Sequence, residues 1–387
     1  MIRASAAVIG AGVMGASAAY HLARRGWRDV HVVDRSAAAG GGSTSRATGG
    51  FRAQFGTAVN VRMSLLARDA LRRFPEEIGC DPGYVKAGYL WLARSEPERE
   101  ALRAALHVQH ESGLPEATEV GPAEILGLNP AVDLGGILSG TYCPSDGFLS
   151  PLAILNGYLD ASARLGVSVH WGAEVTGMKR GGEGRITQVE TSSGTISVDV
   201  VVNAAGPWAG SVAAIAGVPL PVTPLRRQAA ATIPCDLLPE RMPMTIYVGD
   251  GFHLRVRDGR ILLLRPTPGI PGRPFDTSVD PEWIEDVARI ARERVPVLRE
   301  AVVDRGACWA GLYEMSPDHH AILGPAPGCP NLYLINGSSG HGVMHAPALG
   351  MLLAEIMTDG RAATLDVEAL SPERFTRAGA DVRPELL

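Results

Sequence analysis

Lysine is nearly missing from this chain: of its 36 basic residues only Lys86 and Lys179 are lysines, and the rest are arginines. Chemistry that needs a Schiff-base or carboxylate-steering lysine has just these two candidates, and neither lies in the segments that read as a site below. Cysteine is scarce too. Cys80, Cys143, Cys235, Cys308 and Cys329 stand apart with no C-x-x-C pair, which excludes an iron–sulfur ferredoxin, a zinc ribbon and a disulfide framework and fits a reducing cytoplasm. No stretch approaches the roughly 18 consecutive apolar residues of a membrane span. Residues 1–23, with Arg3 ahead of small apolar residues, imitate a leader, but the apolar core is too short and glycines break it. A soluble, cytoplasmic protein is expected. Excess positive charge is also lacking, since the net charge is −5, so there is no footprint for nucleic acid and small molecules are the expected partners.

What is present is a globular composition, 46% hydrophobic and 20% charged, over 387 residues. That exceeds the roughly 250 to 300 residues at which one core stops growing, so two domains are expected. The strongest local signal comes first. Ala6, Ala7, Val8 and Ile9 read as a buried strand, Gly10, Gly12 and Gly15 form G-x-G-x-x-G, and residues 13–25 read as a small-residue helix. Gly10 makes the tight turn, Gly12 admits a pyrophosphate, and Gly15 lets helix and strand pack closely. A second strand, residues 29–34, ends in Asp34, placed to accept ribose hydroxyls. Together these mark a dinucleotide site. The chain then enters a Gly/Ser/Thr-rich loop, residues 40–50, followed by Arg52 and a helix over 61–74, rather than more strand–helix units. That favours a wrapping loop, with a nicotinamide-dependent dehydrogenase as the lesser alternative.

Late segments repeat the theme. The strand at 200–203 stops in the turn Ala204-Ala205-Gly206-Pro207-Trp208 ahead of a helix over 209–216. The strand at 332–335 leads through Asn336-Gly337-Ser338-Ser339-Gly340-His341-Gly342 into an apolar helix to about Met357, stopped at Asp359-Gly360. Strands are expected at 88–92 and 259–264. A capped amphipathic helix should start at Asp280-Pro281, and another at Ser150-Pro151 with Leu152, Leu155 and Leu159 on one face. The adjacent His319 and His320, read as strand residues pointing to opposite sides, do not suggest a metal site. His107 and His110 read as solvated, and residues 266–274 as a Pro/Gly-rich loop bordering a substrate entrance.

G-A-G-V-M-G at Gly10, G-S-T-S-R-A-T-G-G-F-R at 42–52, V-V-N-A-A-G-P-W-A-G at 201–210, Y-E-M-S-P-D at 313–318 and G-S-S-G-H-G at 337–342 occur in this order. In that order they resemble the glycine oxidase, sarcosine oxidase and D-amino-acid oxidase superfamily of FAD-dependent amine oxidoreductases. The resemblance is strongest to its branch with dimethylglycine dehydrogenase and sarcosine oxidase β chains. It implies an α/β fold: a Rossmann-like FAD-binding domain (residues 1–83, 145–218 and 318–387) and an interleaved α+β substrate domain (84–144 and 219–317) built on a mixed or antiparallel sheet.

The resemblance also implies that FAD is held by Gly10, Gly12, Met14, Gly15, Asp34 and Arg35. Further contacts are Ser43, Thr44, Arg46, Ala47, Gly49 and Gly50 in the loop, Val175 by its backbone at adenine, and Ala205, Gly206 and Trp208. Gly311, Tyr313, Ser339, Gly340, His341, Gly342, Val343 and Met344 complete the set, the last helix facing the flavin pyrimidine, though His341 also reads as a plain helix cap. Hydride would leave the carbon next to an amine nitrogen, giving an imine that water hydrolyses. Arg52 is the expected substrate-carboxylate clamp, with a structural ion pair the competing reading. His253 and Arg265, with Arg255, lie on substrate-domain strands, and His253 is a candidate substrate contact. Two departures from monomeric sarcosine oxidase stand out. Gly311 occupies the position of the flavin-linking cysteine, so FAD is expected to be noncovalent. Met344 replaces a carboxylate-binding lysine. Substrates such as sarcosine, dimethylglycine or a proline-like amino acid follow, with O2 or a protein or quinone acceptor, as oxidase or dehydrogenase. A flavin subunit of a heteromeric amine dehydrogenase is the alternative assembly, and homo- or hetero-oligomers stay open.

Overall fold

The computed structural model describes residues 2–267, 269–270 and 272–376. The end of the expected third FAD segment, 377–387, and two positions of the 266–274 loop lie outside these. The buried strand Ile2–Ile9 pairs in parallel with Val30–Asp34 on one side and Gly194–Asn203 on the other. Parallel neighbours Ser168–Trp171 and Leu332–Asn336 extend it both ways, and antiparallel Val175–Arg180, Ile186–Thr191 and Ile322–Pro325 complete an eight-stranded sheet. The helix Val13–Arg24 packs on this sheet because its small residues allow it. A Cβ at Gly15 would run into the Gly10 carbonyl oxygen, and one at Gly350 of the last helix, Gly342–Asp359, would run into Ser17. Ser17 Oγ donates to the Ala346 carbonyl at 2.7 Å and fixes that helix pair.

A second eight-stranded sheet runs in the order Trp309–Met315, Thr223–Ala231, Arg260–Leu264, His253–Arg257, Met244–Tyr247, Tyr89–Ala93, Ser139–Cys143, Thr118–Val120. It is mixed, with one parallel pair, Met244–Tyr247 beside Tyr89–Ala93. The fold is thus α/β with a Rossmann-like sheet and a mixed second sheet. The amphipathic helix Pro281–Arg294 covers the outer face of the second sheet, and its Asp280 cap accepts from the Glu282 N–H.

Two local expectations are corrected. In the helix Pro151–Arg164 the buried face is Ile154, Leu155, Tyr158 and Ala161, while Leu152 is 43% exposed. The stripe is rotated because this helix packs on Val13–Arg24 around Tyr20 and Tyr158, whose rings lie 5.5 Å apart. His319 and His320 sit in a turn before Ile322–Pro325, not on a strand, and His319 has φ +61°. No helix of the described residues is long and apolar enough to cross a membrane.

Candidate active site

Between the two sheets lies an elongated cavity of about 620 Å³. Its lining includes every cofactor or substrate contact named from the sequence except Gly15 and Arg255. Gly15 sits beneath the phosphate turn, where absence of a side chain serves packing. Arg255 donates instead to the Thr48 carbonyl at 2.8 Å and lies over the Phe148 ring.

At one end Asp34 accepts from the Ala11 and Ser36 N–H groups, both at 2.7 Å, which aims the carboxylate across the Gly10 turn. Gly10 has φ +104°, and a Cβ there would run into the Ala204 carbonyl, so the turn closes against the 203–209 turn. Buried Asn203 holds that second turn, donating to the Ala209 carbonyl and accepting from the Ala205 N–H. Beside it the Arg35 guanidinium lies 3.9 Å over the Trp208 ring. Thr44 Oγ1 accepts from the Val13 N–H at 3.2 Å, tying the wrapping loop to the first helix N-terminus. Farther along, Ser43 donates to the Leu312 carbonyl and Arg46 to the Ala310 carbonyl, both at 2.7 Å. The Arg46 stem fills the space at Gly311: a Cβ there would sit 3.0 Å from Arg46 Cβ.

The far end is the N-terminus of Gly342–Asp359. Gly340 has φ +98°, and a Cβ would run into the Tyr313 ring. A Cβ at Gly342 would lie 3.4 Å from Met14 Cε, so the two helix N-termini converge on one cavity. Next to them Glu314 is buried, accepting from the Ser338 N–H at 3.3 Å while Oε2 has no hydrogen-bond partner among the described residues. Burial pushes its carboxyl up to about 7.

The second sheet forms the roof. Its register sets Trp91 beside Ile246, Ile246 beside His253, His253 beside Leu264, and Leu264 beside Ala229. Period-two alternation turns these side chains to one face, and all line the cavity. His253 Nδ1 is 2.8 Å from the Gly251 carbonyl, which can only accept, so Nδ1 carries the proton and Nε2 is left as an acceptor. Burial lowers this imidazole to about 4, so it is neutral at pH 7. Arg265 reaches the cavity, but its guanidinium is held by Asp286 and lies 3.6 Å from Asp250.

Arg52 is buried, donating to the Gln54 carbonyl at 2.6 Å, with its Nη2 3.1 Å from His341 Nε2 and its guanidinium 3.8 Å over the Phe55 ring. Asp146 fixes this segment, accepting from the Ala53 N–H at 2.7 Å and from Gln54 Nε2 at 3.2 Å. Burial raises the Asp146 carboxyl to about 6. Sequence reasoning missed Asp146, Glu314 and Arg227. A signal existed for two of them: Glu314 stands inside Y-E-M-S-P-D, and Arg227 is a charge within the strand Thr223–Ala231.

Glycine cradles at both ends, two convergent helix N-termini and an unpartnered Glu314 oxygen suit an elongated, polyhydroxylated dinucleotide. The fold and this site define a flavin-type oxidoreductase. Residues 5–356 match the family described as DAO, FAD dependent oxidoreductase, and the chain belongs to that family of FAD-dependent amine and amino-acid oxidoreductases. FAD is its cofactor, which sets aside the nicotinamide alternative.

The crystal structure of L-proline dehydrogenase from P. horikoshii superposes with a TM-score of 0.90 at 28% identity, covering 97% of this chain and 98% of that one. Glycine oxidase from Geobacillus kaustophilus is 26% identical over 92% of this chain and 93% of its own length. Its crystal structure gives a TM-score of 0.83 at 25% identity, covering 96% of this chain and 98% of that one. Dimethylglycine dehydrogenase of Rattus norvegicus is 29% identical over 96% of this chain, which spans 45% of that protein's length.

Proposed function

We propose that the chain oxidises the carbon next to the nitrogen of a small secondary or tertiary amine bearing a carboxylate, such as sarcosine, dimethylglycine or a proline-like amino acid. The imine product is hydrolysed by water. Within this reading residues 1–83, 145–218 and 318–387 form the FAD-binding domain, and 84–144 with 219–317 the substrate domain. FAD, when bound, supplies the two-electron acceptor. Asp34, the loop around Thr44 and the helix N-termini would hold it, without a covalent bond, because Gly311 is packed against Arg46 and no cysteine lines the cavity among the described residues.

The observation that carries the reading is the chamber between Arg52, the His253 roof and the turn at Gly340 to Met344. Arg52 takes the substrate carboxylate in charge-assisted hydrogen bonds and thereby fixes the reacting carbon. Trp91, Ile246, Leu264 and Met344 exclude water. Neutral His253 offers Nε2 as an acceptor to the N–H of a secondary amine without adding charge, a contact that a tertiary amine does not make. A nearby guanidinium disfavours an ammonium ion, so the amine is held as the free base with its lone pair available. The names of the dimethylglycine and proline dehydrogenases and of the glycine oxidase support this substrate class. The test is anaerobic mixing of the yellow protein with a panel of such amines. Bleaching of the flavin band by at least one supports the reading; no bleaching by any, with full bleaching by dithionite, removes it. Comparing oxygen uptake with turnover on an artificial acceptor then separates O2 from a protein or quinone acceptor.

A further inference from the structure

The chamber holds a second guanidinium. Arg227 lies on Thr223–Ala231, opposite Gly311 of Trp309–Met315, and lines the cavity. It shares the roof face with Ala229, two residues on, and so stands one pleat beyond the row of Ala229, Leu264 and His253. The same register places Tyr89 and Met244 one pleat beyond that row on the opposite side. The Arg52 segment is tied to that side by Gln54 Nε2, which donates to the Tyr89 carbonyl at 3.0 Å, and the Arg52 guanidinium lies 5.2 Å from the Trp91 ring centre in the row itself. Arg52, Arg227, His253 and Tyr313 all line the same cavity, so one chamber is open to both guanidiniums.

Arg227 is fixed in place by backbone carbonyls. It donates to the Thr267 carbonyl at 2.6 Å, lies 5.4 Å from the Tyr313 ring centre, and has no carboxylate partner among the described residues. Burial disfavours its charged form. A half-buried cation in this state gains most from an anionic ligand group that arrives with the substrate. Arg265, the neighbouring arginine, is by contrast neutralised by Asp286 and Asp250.

We propose that Arg227 is a specificity-determining residue that receives a second carboxylate, so that the preferred substrates are dicarboxylic secondary amines. Arg52 and Arg227 would each take one carboxylate with the nitrogen and reacting carbon between them, under the His253 row. This rests on the reading above and narrows it. A purely structural role, in which Arg227 only ties the loop after Arg265 to Tyr313, predicts no discrimination between ligands of different charge.

The test compares sarcosine and L-proline with iminodiacetate and N-methyl-L-aspartate on the FAD-loaded protein and on R227L and R227K. Flavin reduction is followed anaerobically. In parallel, the unoxidisable thioethers thiodiacetate and (methylthio)acetate are titrated against the flavin absorption bands. The expected result is that R227L weakens thiodiacetate binding and dicarboxylate reduction about 30- to 1,000-fold, as for a truncated partner of a buried charge pair. The monocarboxylates should change less than about threefold, and R227K should recover part of the loss. Equal effects of R227L on both ligand classes, or no preference of the parent protein for dicarboxylates, would overturn the assignment. The thioether titration decides it even where no amine bleaches the flavin, in which case the amine-oxidising reading falls separately.

Discussion

Arg52 Nη2 and His341 Nε2 stand 3.1 Å apart in the interior. A guanidinium can only donate, so His341 accepts at Nε2 and is neutral, its proton on Nδ1. The contact links the end of the wrapping loop to the N-terminus of the helix Gly342–Asp359, with the Phe55 ring edge-on to His341 at 4.8 Å. The proposed substrate clamp and the turn proposed to face the flavin are therefore one unit.

Replacing Arg52 by alanine should raise the dissociation constant of a carboxylate-bearing amine by about 100-fold, the scale of a lost charge-assisted bidentate contact. Flavin content should be nearly unchanged. Rapid-mixing reduction and absorbance ratios measure the two quantities on one preparation. An unchanged constant would return Arg52 to a structural role.

Asp146 should matter without touching substrate. Asp146→Ala leaves the Ala53 N–H and the Gln54 amide buried without their acceptor, a loss of about 2 to 4 kcal/mol. Chemical denaturation should show that drop, and substrate affinity should fall because the Arg52 segment loosens. Stability within error of the parent would contradict the role given to this carboxyl.

The Glu314 carboxyl is raised by burial from an ordinary 4.5 to about 7. Between these values the folded chain keeps a proton that the unfolded chain releases. The group is therefore least costly to folding below about pH 4.5 and penalises it increasingly as pH rises towards 7. In the flavin-free protein, Glu314→Gln should raise Tm over the parent by more at about pH 8 than at about pH 5. A pH-independent difference would mean the carboxyl is not desolvated.

Gly340→Ala places a Cβ against the Tyr313 ring at φ +98°. It should lower FAD retention and displace the Tyr313 side chain, read as flavin content after gel filtration and as tyrosine fluorescence. Full retention with parent-like spectra would show that the turn yields without disturbing the cradle.

The first half of the site was readable from sequence because its geometry is local. The strand Ile2–Ile9, the Gly10 turn, the helix Val13–Arg24 and Asp34 lie within one strand–helix–strand unit, and Gly15 answers a constraint five residues away at Gly10, although the Gly10 turn itself closes against Ala204 far along the chain. The roof was less legible. Trp91, Ile246 and His253 become neighbours only through a parallel pairing of strands some 150 positions apart, which no local pattern encodes. Arg227 and Asp146 owe their significance to burial and to partners far along the chain. Leu152 misled because helical spacing gives a stripe but not which of two overlapping stripes meets a neighbour.

The most direct test of the account is an anaerobic titration of the purified yellow protein with a carboxylate-bearing secondary amine, followed by acid precipitation of the same sample. Stoichiometric bleaching in the parent, loss of tight saturation in Arg52→Ala, and release of all flavin into the acid supernatant are the predicted results. A flavin that stays oxidised with every such amine, or remains with the protein pellet, would contradict the reaction or the noncovalent cradle respectively.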